Sequence, residues 1–468
     1  MTFDTDVVIG LEIHVSLDTE RKLFCRCRNR PSDEPDTNIC PVCMGHPGSR
    51  PVLNEDAVLK ALKLALAFDF TMAPRLVFSR KTYFYPDLAK NFQITQYAEP
   101  IGSDGKISVD GVGIGIERIH MEEDPGTIER KSSHSLIDYN RSGTPLCEIV
   151  TKPEISSPEQ ARGLIRKLVL TMRYLGVWDK AEGNLKADLN ISVKDTDYTK
   201  VEIKGVSGFK EIEDALAYEI ERQKSHPGEI VPETRSYDPK HSITTSMRDK
   251  ETEEDYGYIY ESDILPRELT DDLISGVKEK IPELFDDRVE RYSSLGLDKE
   301  DAKAIASIPS LAYLFDEFAE GRKTEKRPLV DFSRFLKKEV ISLLNDSSFA
   351  EDDMERPTVC SSIMNIHKLF SDRKINNHSA RRLLMELAKN HDIDVHAFAE
   401  RSDMLIEETD LDSLCEDVVS ENPTATNDYK TGKYWAINYL VGQVMKKVKG
   451  KAMPDEVKST LKKKLEEK

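Results

Sequence analysis

Alternation of apolar and polar positions dominates roughly the first 290 residues. Val7–Val15 places Leu11, Ile13 and Val15 on one side of an extended chain and Glu12 and His14 on the other, which predicts a half-buried strand. Ile114–Met121, Leu189–Val193 and Val201–Ile203 carry similar alternating or β-branched patterns. Helical periodicity interrupts these strands at Asp56–Phe68, at Glu211–Gln223, and after Ser157-Pro158-Glu159-Gln160. In the last, Ser157 suits the N-cap, Pro158 the first turn, and Gln160 completes a capping box. The stripe Leu164, Leu168, Met172, Leu175 follows, and Gly176 stops the helix.

Past about residue 292 glycine becomes rare and helical spacing takes over, at Lys299–Ala306, Leu311–Glu320, Phe332–Leu344 and Ser379–Lys389. A further all-helical piece begins near residue 408. Asn422-Pro423 caps one helix, Tyr434–Lys447 is amphipathic and ends at Gly450, and Pro454 opens the last helix. A chain of 468 residues exceeds one compact core. We therefore expect boundaries near 292 and 405, giving segments 1–292, 293–404 and 405–468. The expected fold class is α+β: a mainly antiparallel-sheet cradle, a helical domain and a small all-helical tail domain. No internal repeat or low-complexity linker breaks this order.

Composition narrows the function classes. No segment approaches the roughly 20 uncharged apolar residues of a membrane span. The acidic start runs straight into a strand, unlike a signal or transit peptide, so the expected location is cytoplasmic. Net charge is −18 from 67 basic and 85 acidic residues, which argues against a general RNA-coating protein. The charge is uneven, however: residues 430–468 hold eleven lysines and four acids.

Four of the seven cysteines fall within nineteen positions, as Cys25-x-Cys27 and Cys40-x-x-Cys43 separated by twelve residues. Two short chelating arms suit a structural, four-thiolate Zn²⁺ site, with Pro41, Gly45, Pro47 and Gly48 supplying turns. The alternative is four reduced thiols without metal. A full thiolate shell leaves no open position, so catalytic zinc is disfavoured.

The polar faces of the strands hold the more informative chemistry. Four i, i+2 pairs recur: Glu12/His14, His120/Glu122, Asp188/Asn190 and Glu202/Lys204. Any one of them is compatible with a solvated sheet face. Together they supply the carboxylates, imidazole, amide and lysine of a Mg²⁺–nucleotide site. No Walker loop or dinucleotide fingerprint is present, and Gly111-Val-Gly113-Ile-Gly115 reads as a turn into a strand. The Asp138–Pro145 segment ends a strand in a glycine turn and either offers Arg141 to phosphate or is a plain turn. The Tyr83-Phe84-Tyr85 run is suited to base stacking or to a core.

These segments together resemble the GatB/GatE family, the tRNA-binding, kinase-like subunits of tRNA-dependent amidotransferases. The resemblance rests on Ile9–Val15, Cys40–Gly48, Tyr83–Leu88, Ile119–Asp124, Asp138–Pro145, Ala187–Ser192 and Leu440–Lys447, and it covers nearly the whole chain. The length leaves no room for the domain inserted in the GatE branch. The resemblance implies ATP-dependent phosphorylation of the side-chain carboxylate on misacylated Asp-tRNA(Asn) or Glu-tRNA(Gln), followed by amidation. It also implies a YqeY-like tail that contacts tRNA, and a GatCAB heterotrimer formed with an amidase and a small third protein. No glutaminase signature is present, so ammonia is expected from the amidase partner.

By the same resemblance His14, Glu122 or Glu123, and Glu148 bind Mg²⁺, with Glu12 beside them. Asp188 and Asn190 complete the nucleotide site, and Lys204 and Arg141 meet phosphate. One departure stands out: the family's asparagine after the lysine is missing from Val201-Glu-Ile-Lys204-Gly-Val. Two competing functions remain open at this point, a non-catalytic zinc-containing RNA-binding scaffold and an ATP-dependent ligase acting on free amino acids.

Overall fold

The computed structural model describes residues 5–178, 185–249, 256–322, 324–406, 411–448 and 451–466. The chain divides into two compact units, Met1–Leu284 and Phe285–Lys468.

The first unit is built on a twelve-stranded sheet. Five of its strands position the candidate site: β1 (Val7–Ser16), β2 (Val112–Glu123), β3 (Pro145–Thr151), β4 (Lys186–Val193) and β5 (Val201–Ser207). Their order across the sheet is β5-β4-β1-β3-β2, antiparallel throughout. A sixth strand, β6 (Glu233–Asp238), pairs with β5 in parallel. β1 is thus the central strand, although it comes first in the chain. Gly111 sits in the turn before β2 with φ of 85°, where a side chain would be strained.

One sheet face is apolar. Leu11, Ile13, Val15, Ile119, Met121, Cys147, Ile149, Leu189, Ile191 and Ile203 are all buried there. Three helices contribute to the same core: α1 (Glu55–Ala67), α2 (Pro158–Leu175) and α3 (Phe209–Ser225). Period-two apolar residues on β1 therefore commit its other side, carrying Glu12 and His14, to the opposite face. A register shift at Val150/Thr151 is stitched to β1 by the Leu11 N–H, which donates to Thr151 Oγ1 at 2.9 Å.

The helix signals hold with small displacements. Ser157 caps α2 by accepting from the Gln160 N–H at 3.2 Å, and Gly176 closes it in the left-handed conformation. The reciprocal bond from Gln160 goes to Ser156, whose N–H donates to Gln160 Oε1 at 2.8 Å, one residue earlier than expected.

The second unit is helical. The helix expected at Phe332–Leu344 is instead Lys326–Phe335, a π-helical turn Leu336–Val340, and Ile341–Asn345. Asn422 holds the N-cap position of the helix Pro423–Lys430, with Pro423 in its first turn, but it makes no side-chain capping bond; its amide donates instead to the Val418 carbonyl of the preceding helix at 2.8 Å. The expected stop at Gly450 lies outside the described residues. Helices from Leu411 to Glu466 enclose an apolar cluster that includes Val418, Leu440, Val444, Val457 and Leu461. Among the described residues no helix is long and apolar enough to cross a membrane.

Candidate metal and phosphate site

Strand register assembles the polar face residue by residue. Glu12 lies opposite Asp188 across β1/β4, and His14 opposite Glu148 across β1/β3. Glu148 in turn faces His120 on β2, and Asn190 faces Glu202 on β5. All four polar pairs thus share one face, and His14, Glu122, Glu148 and Lys204 on it line an open cavity of about 890 Å³.

Two clusters of ligand-type side chains stand on that face. In the first, His14, Glu122 and Glu148 bring one donor atom each within 4.8 Å of the others. His14 Nε2 is 3.3 Å from Glu148 Oε2 and 3.6 Å from Glu122 Oε1. His120 backs the same carboxylates, with Nε2 3.5 Å from Glu148 Oε2 and 3.8 Å from Glu122 Oε2. The second cluster is Glu12, Asp188 and Glu202. Lys204 Nζ lies 3.5 Å from Asp188 and 3.4 Å from Glu202, and Asn190 Nδ2 donates to Glu12 Oε1 at 3.0 Å.

The electrostatics follow from five carboxylates on one half-buried face. Burial pushes the Glu12 carboxyl above its usual range, and Glu148, Asp188 and Glu202 add to the shift. Burial alone would lower His14, but Glu148 and Glu122 outweigh it and raise the imidazole to about 10. Glu148 is held well below the usual range: burial opposes this, but His120 and His14 overcome it. Lys204 is raised by Asp188 and Glu202 against its own burial. Without a cation the imidazole therefore holds its proton at neutral pH; a divalent cation that displaces it meets a neutral His14 and two carboxylates of net −2, whose oxygens are the hard donors Mg²⁺ takes. The donor set therefore fits Mg²⁺.

Glu123 is not part of this cluster. It ion-pairs with Lys90, and its Oε1 accepts the Ile94 N–H at 2.9 Å. Adjacent residues on a strand point to opposite faces, so only one of Glu122 and Glu123 can join His14. Arg141 does line the cavity, from the Asp138–Thr144 turn. It pairs with Asp124 at 3.0 Å and donates to the carbonyls of Pro125 and Gly126. Burial raises Asp124 to about 6, partly offset by Arg141 and Lys186.

Several lining residues had no assigned role from pattern: Lys186, Lys81, Tyr256 and the pair Arg28 and Arg30. Lys186 was legible, two positions from Asp188 on the same strand. Tyr256 was not, because it arrives from a distant segment to place its ring 4.5 Å from Lys81 Nζ and edge-on to Tyr83.

The cysteine cluster also closes. The Sγ atoms of Cys25, Cys27, Cys40 and Cys43 lie within 4.8 Å of one another, with Cys40 and Cys43 3.8 Å apart. That separation matches the roughly 3.8 Å edge of a tetrahedron with ~2.3 Å zinc–sulfur bonds. Cys43 is lowered to about 5, chiefly by a hydrogen bond from Cys25, with burial opposing and the Lys22 charge assisting, whereas that same bond raises Cys25 and burial raises Cys27, so those two thiols would release protons to a metal. Both observations fit a thiolate-held metal.

A sheet floor carrying two ligand clusters, one of them lining a large open cavity, defines an α+β catalytic cradle suited to a cation and an anionic substrate. The chain belongs to the GatB/GatE family: the model of the GatB/GatE catalytic domain matches residues 7–275, and the GatB domain model matches residues 314–465. Curated relatives, each named as the B subunit of aspartyl/glutamyl-tRNA(Asn/Gln) amidotransferase, agree along their whole length. That of Thermotoga maritima is 40% identical over 98% of both chains. That of Caldanaerobacter subterraneus subsp. tengcongensis is 39% identical over 96% of this chain and 97% of its own. That of Carboxydothermus hydrogenoformans is 37% identical over 98% of both.

Proposed function

We propose that this chain is the B subunit of a tRNA-dependent amidotransferase and works on Asp-tRNA(Asn), Glu-tRNA(Gln) or both. A carboxylate is a poor acyl donor, so the side-chain carboxylate of the tRNA-borne amino acid first takes the terminal phosphoryl group of ATP, releasing ADP. Ammonia then attacks the acyl carbon, phosphate leaves, and a proton is lost to give the amide. The convergence of His14, Glu122 and Glu148 on one face is the observation that carries this reading.

In this reading those three side chains hold Mg²⁺, with Glu12 beside them and Asp188 and Asn190 completing the nucleotide site. The cation supplies charge neutralisation to ATP oxygens when bound. Lys204 and Arg141 meet phosphoryl oxygens, stabilising charge that builds in transfer. Cys25, Cys27, Cys40 and Cys43 hold a structural Zn²⁺. Residues 1–292 form the cradle, 293–404 the helical domain, and 405–468 a tail whose lysines approach the tRNA backbone. An amidase (GatA) supplies ammonia, and a small third protein (GatC) completes the heterotrimer, in the cytoplasm.

The test is reconstitution with the amidase and the small third protein, ATP, Mg²⁺ and each misacylated tRNA, followed by identification of the released amino acid. Asparagine or glutamine is expected, with ATP hydrolysis dependent on charged tRNA. Equal hydrolysis with free aspartate or glutamate would point instead to a ligase of free amino acids. Amidation unaffected by Glu12→Ala and His14→Ala would leave this chain a scaffold.

A further inference from the structure

The four-cysteine knuckle does more than cap a loop, because its chain continues into the cavity wall. Arg28 and Arg30, immediately after Cys27, both line the cavity and both are exposed. Among the described residues no carboxylate lies within ion-pair range of Arg28, whereas Arg30 reaches Asp18 at 3.3 Å. The strap that carries them is tied down by Asn38, whose side chain donates to the carbonyls of Arg28 at 2.8 Å and Arg30 at 3.3 Å.

The knuckle is also sewn to the turn that presents Arg141. Asn38 N–H donates to Asn140 Oδ1 at 2.7 Å, and Asn140 Nδ2 returns to the Glu34 carbonyl at 2.7 Å. Asp36 N–H donates to Asp138 Oδ1 at 3.0 Å, and Tyr139 N–H to Asp36 Oδ1 at 2.8 Å. Ser142 Oγ donates to the Cys43 carbonyl at 3.4 Å, and Leu23 N–H to the Gly143 carbonyl at 2.8 Å. These hydrogen bonds join a metal-fitted loop to one short turn, too many to leave the turn indifferent to the loop's order.

We propose that the knuckle is one jaw of the cavity: Arg28 and Arg30 contact phosphates of the RNA acceptor end, and the metal held by the cysteines keeps both arginines and the Arg141 turn in place. This rests on the function proposed above. A chain of net charge −18 repels a polyanion over most of its surface, so association relies on local, solvent-facing cations. The exposure of the two arginines sets them apart from His14 and Lys204 on the floor, which suits an RNA backbone crossing the rim better than a nucleotide seated below. Alternation of chelating and basic residues in Cys25-Arg26-Cys27-Arg28 links metal loading to RNA affinity in one short segment.

The test uses the full chain assembled with its partner proteins and a full-length tRNA(Gln) transcript, with binding measured over a salt series. Arg28→Ala with Arg30→Ala is expected to weaken binding about tenfold and to flatten the log–log salt slope by about 1 to 2, with the KM for ATP unchanged. Cys27→Ser is expected to lose zinc by elemental analysis, to weaken tRNA binding similarly, and to lose hydrogen-exchange protection at residues 138–144. The arginine variants leave the metal ligands intact, so misfolding of Cys27→Ser does not decide the matter. Unchanged tRNA binding in the arginine variants, or a raised KM for ATP with tRNA binding intact, overturns the proposal. Failure of the unaltered assembly to amidate would instead strike the functional reading on which it rests.

Discussion

His14 Nε2 and Glu148 Oε2 stand 3.3 Å apart as cross-strand partners on β1 and β3, so two residues 134 positions apart in the chain are brought together as one candidate ligand unit. The ladder holds the two backbones opposite each other, so the side chains meet before any cation enters. Glu148→Gln keeps the shape but removes a charge and a hard ligand. Amidation by the reconstituted assembly is expected to fall at least about 100-fold, with tRNA affinity within about twofold of the unaltered protein. A retained rate at saturating Mg²⁺ would remove Glu148 from the site.

Glu122 and Glu123 separate by face. Glu122→Gln is expected to weaken Mg²⁺ binding by about tenfold or more, whereas Glu123→Gln leaves it nearly unchanged, because Glu123 is committed to Lys90 and the Ile94 N–H. Isothermal titration of the metal into each variant distinguishes them; equal losses would contradict the facing described here.

The register shift of β3 against β2 at Val150/Thr151 has its own energetic signature, because Thr151 there bonds to β1. Thr151 is buried and its hydroxyl accepts the Leu11 N–H. Thr151→Val preserves volume and strands that N–H, at a cost of about 1–3 kcal/mol. Denaturant unfolding of the first unit should register this loss, and an unchanged midpoint would show that the hydroxyl is dispensable.

His367 predicts a pH dependence in the second unit. It is buried against Phe332, Phe335 and Phe318, with ring centroids 4.8, 5.2 and 5.6 Å away. Burial lowers it to about 4, partly opposed by Asp331 and Asp372. The folded pKa lies below the ordinary 6.5, so the unfolded chain binds the extra proton. Stability tied to the neutral ring is therefore complete above pH 6.5 and is lost as pH falls from 6.5 to 4, by about 3 kcal/mol at most. His367→Leu should flatten this acid limb in urea titrations at pH 4.5, 5.5 and 7, and an unaltered slope would exclude the ring as its source.

Much of this was legible from local pattern. The apolar alternation of Leu11, Ile13 and Val15 already implied that Glu12 and His14 share a face, since burial of one side of a strand leaves the other no choice. Ser157, Pro158 and Gly176 marked α2 because capping and left-handed closure are nearest-neighbour effects. Cys25, Cys27, Cys40 and Cys43 were readable as one cluster because short chelating arms need little more than local turns. Asn422-Pro423 marked its helix start as well, but the pattern did not show that the Asn422 amide serves the helix before it and not the one after. The π-turn at Leu336–Val340 has no local signal either, arising where helical register meets its neighbours.

The sequence by itself determined which residues lie on the polar side of each strand and which chemistry that side carries, because side-chain direction along a strand obeys a period of two. Which strands become neighbours, and hence that His14 meets Glu148 while Glu12 meets Asp188, was decided only by tertiary structure. Pairing between segments more than a hundred residues apart depends on the shared core beneath the sheet, a property of the whole chain that no single stretch contains. The same holds for the partner Lys90 that Glu123 finds on the other face, and for Arg28 and Arg30, which are carried to the cavity by a loop whose anchor lies at Asn140.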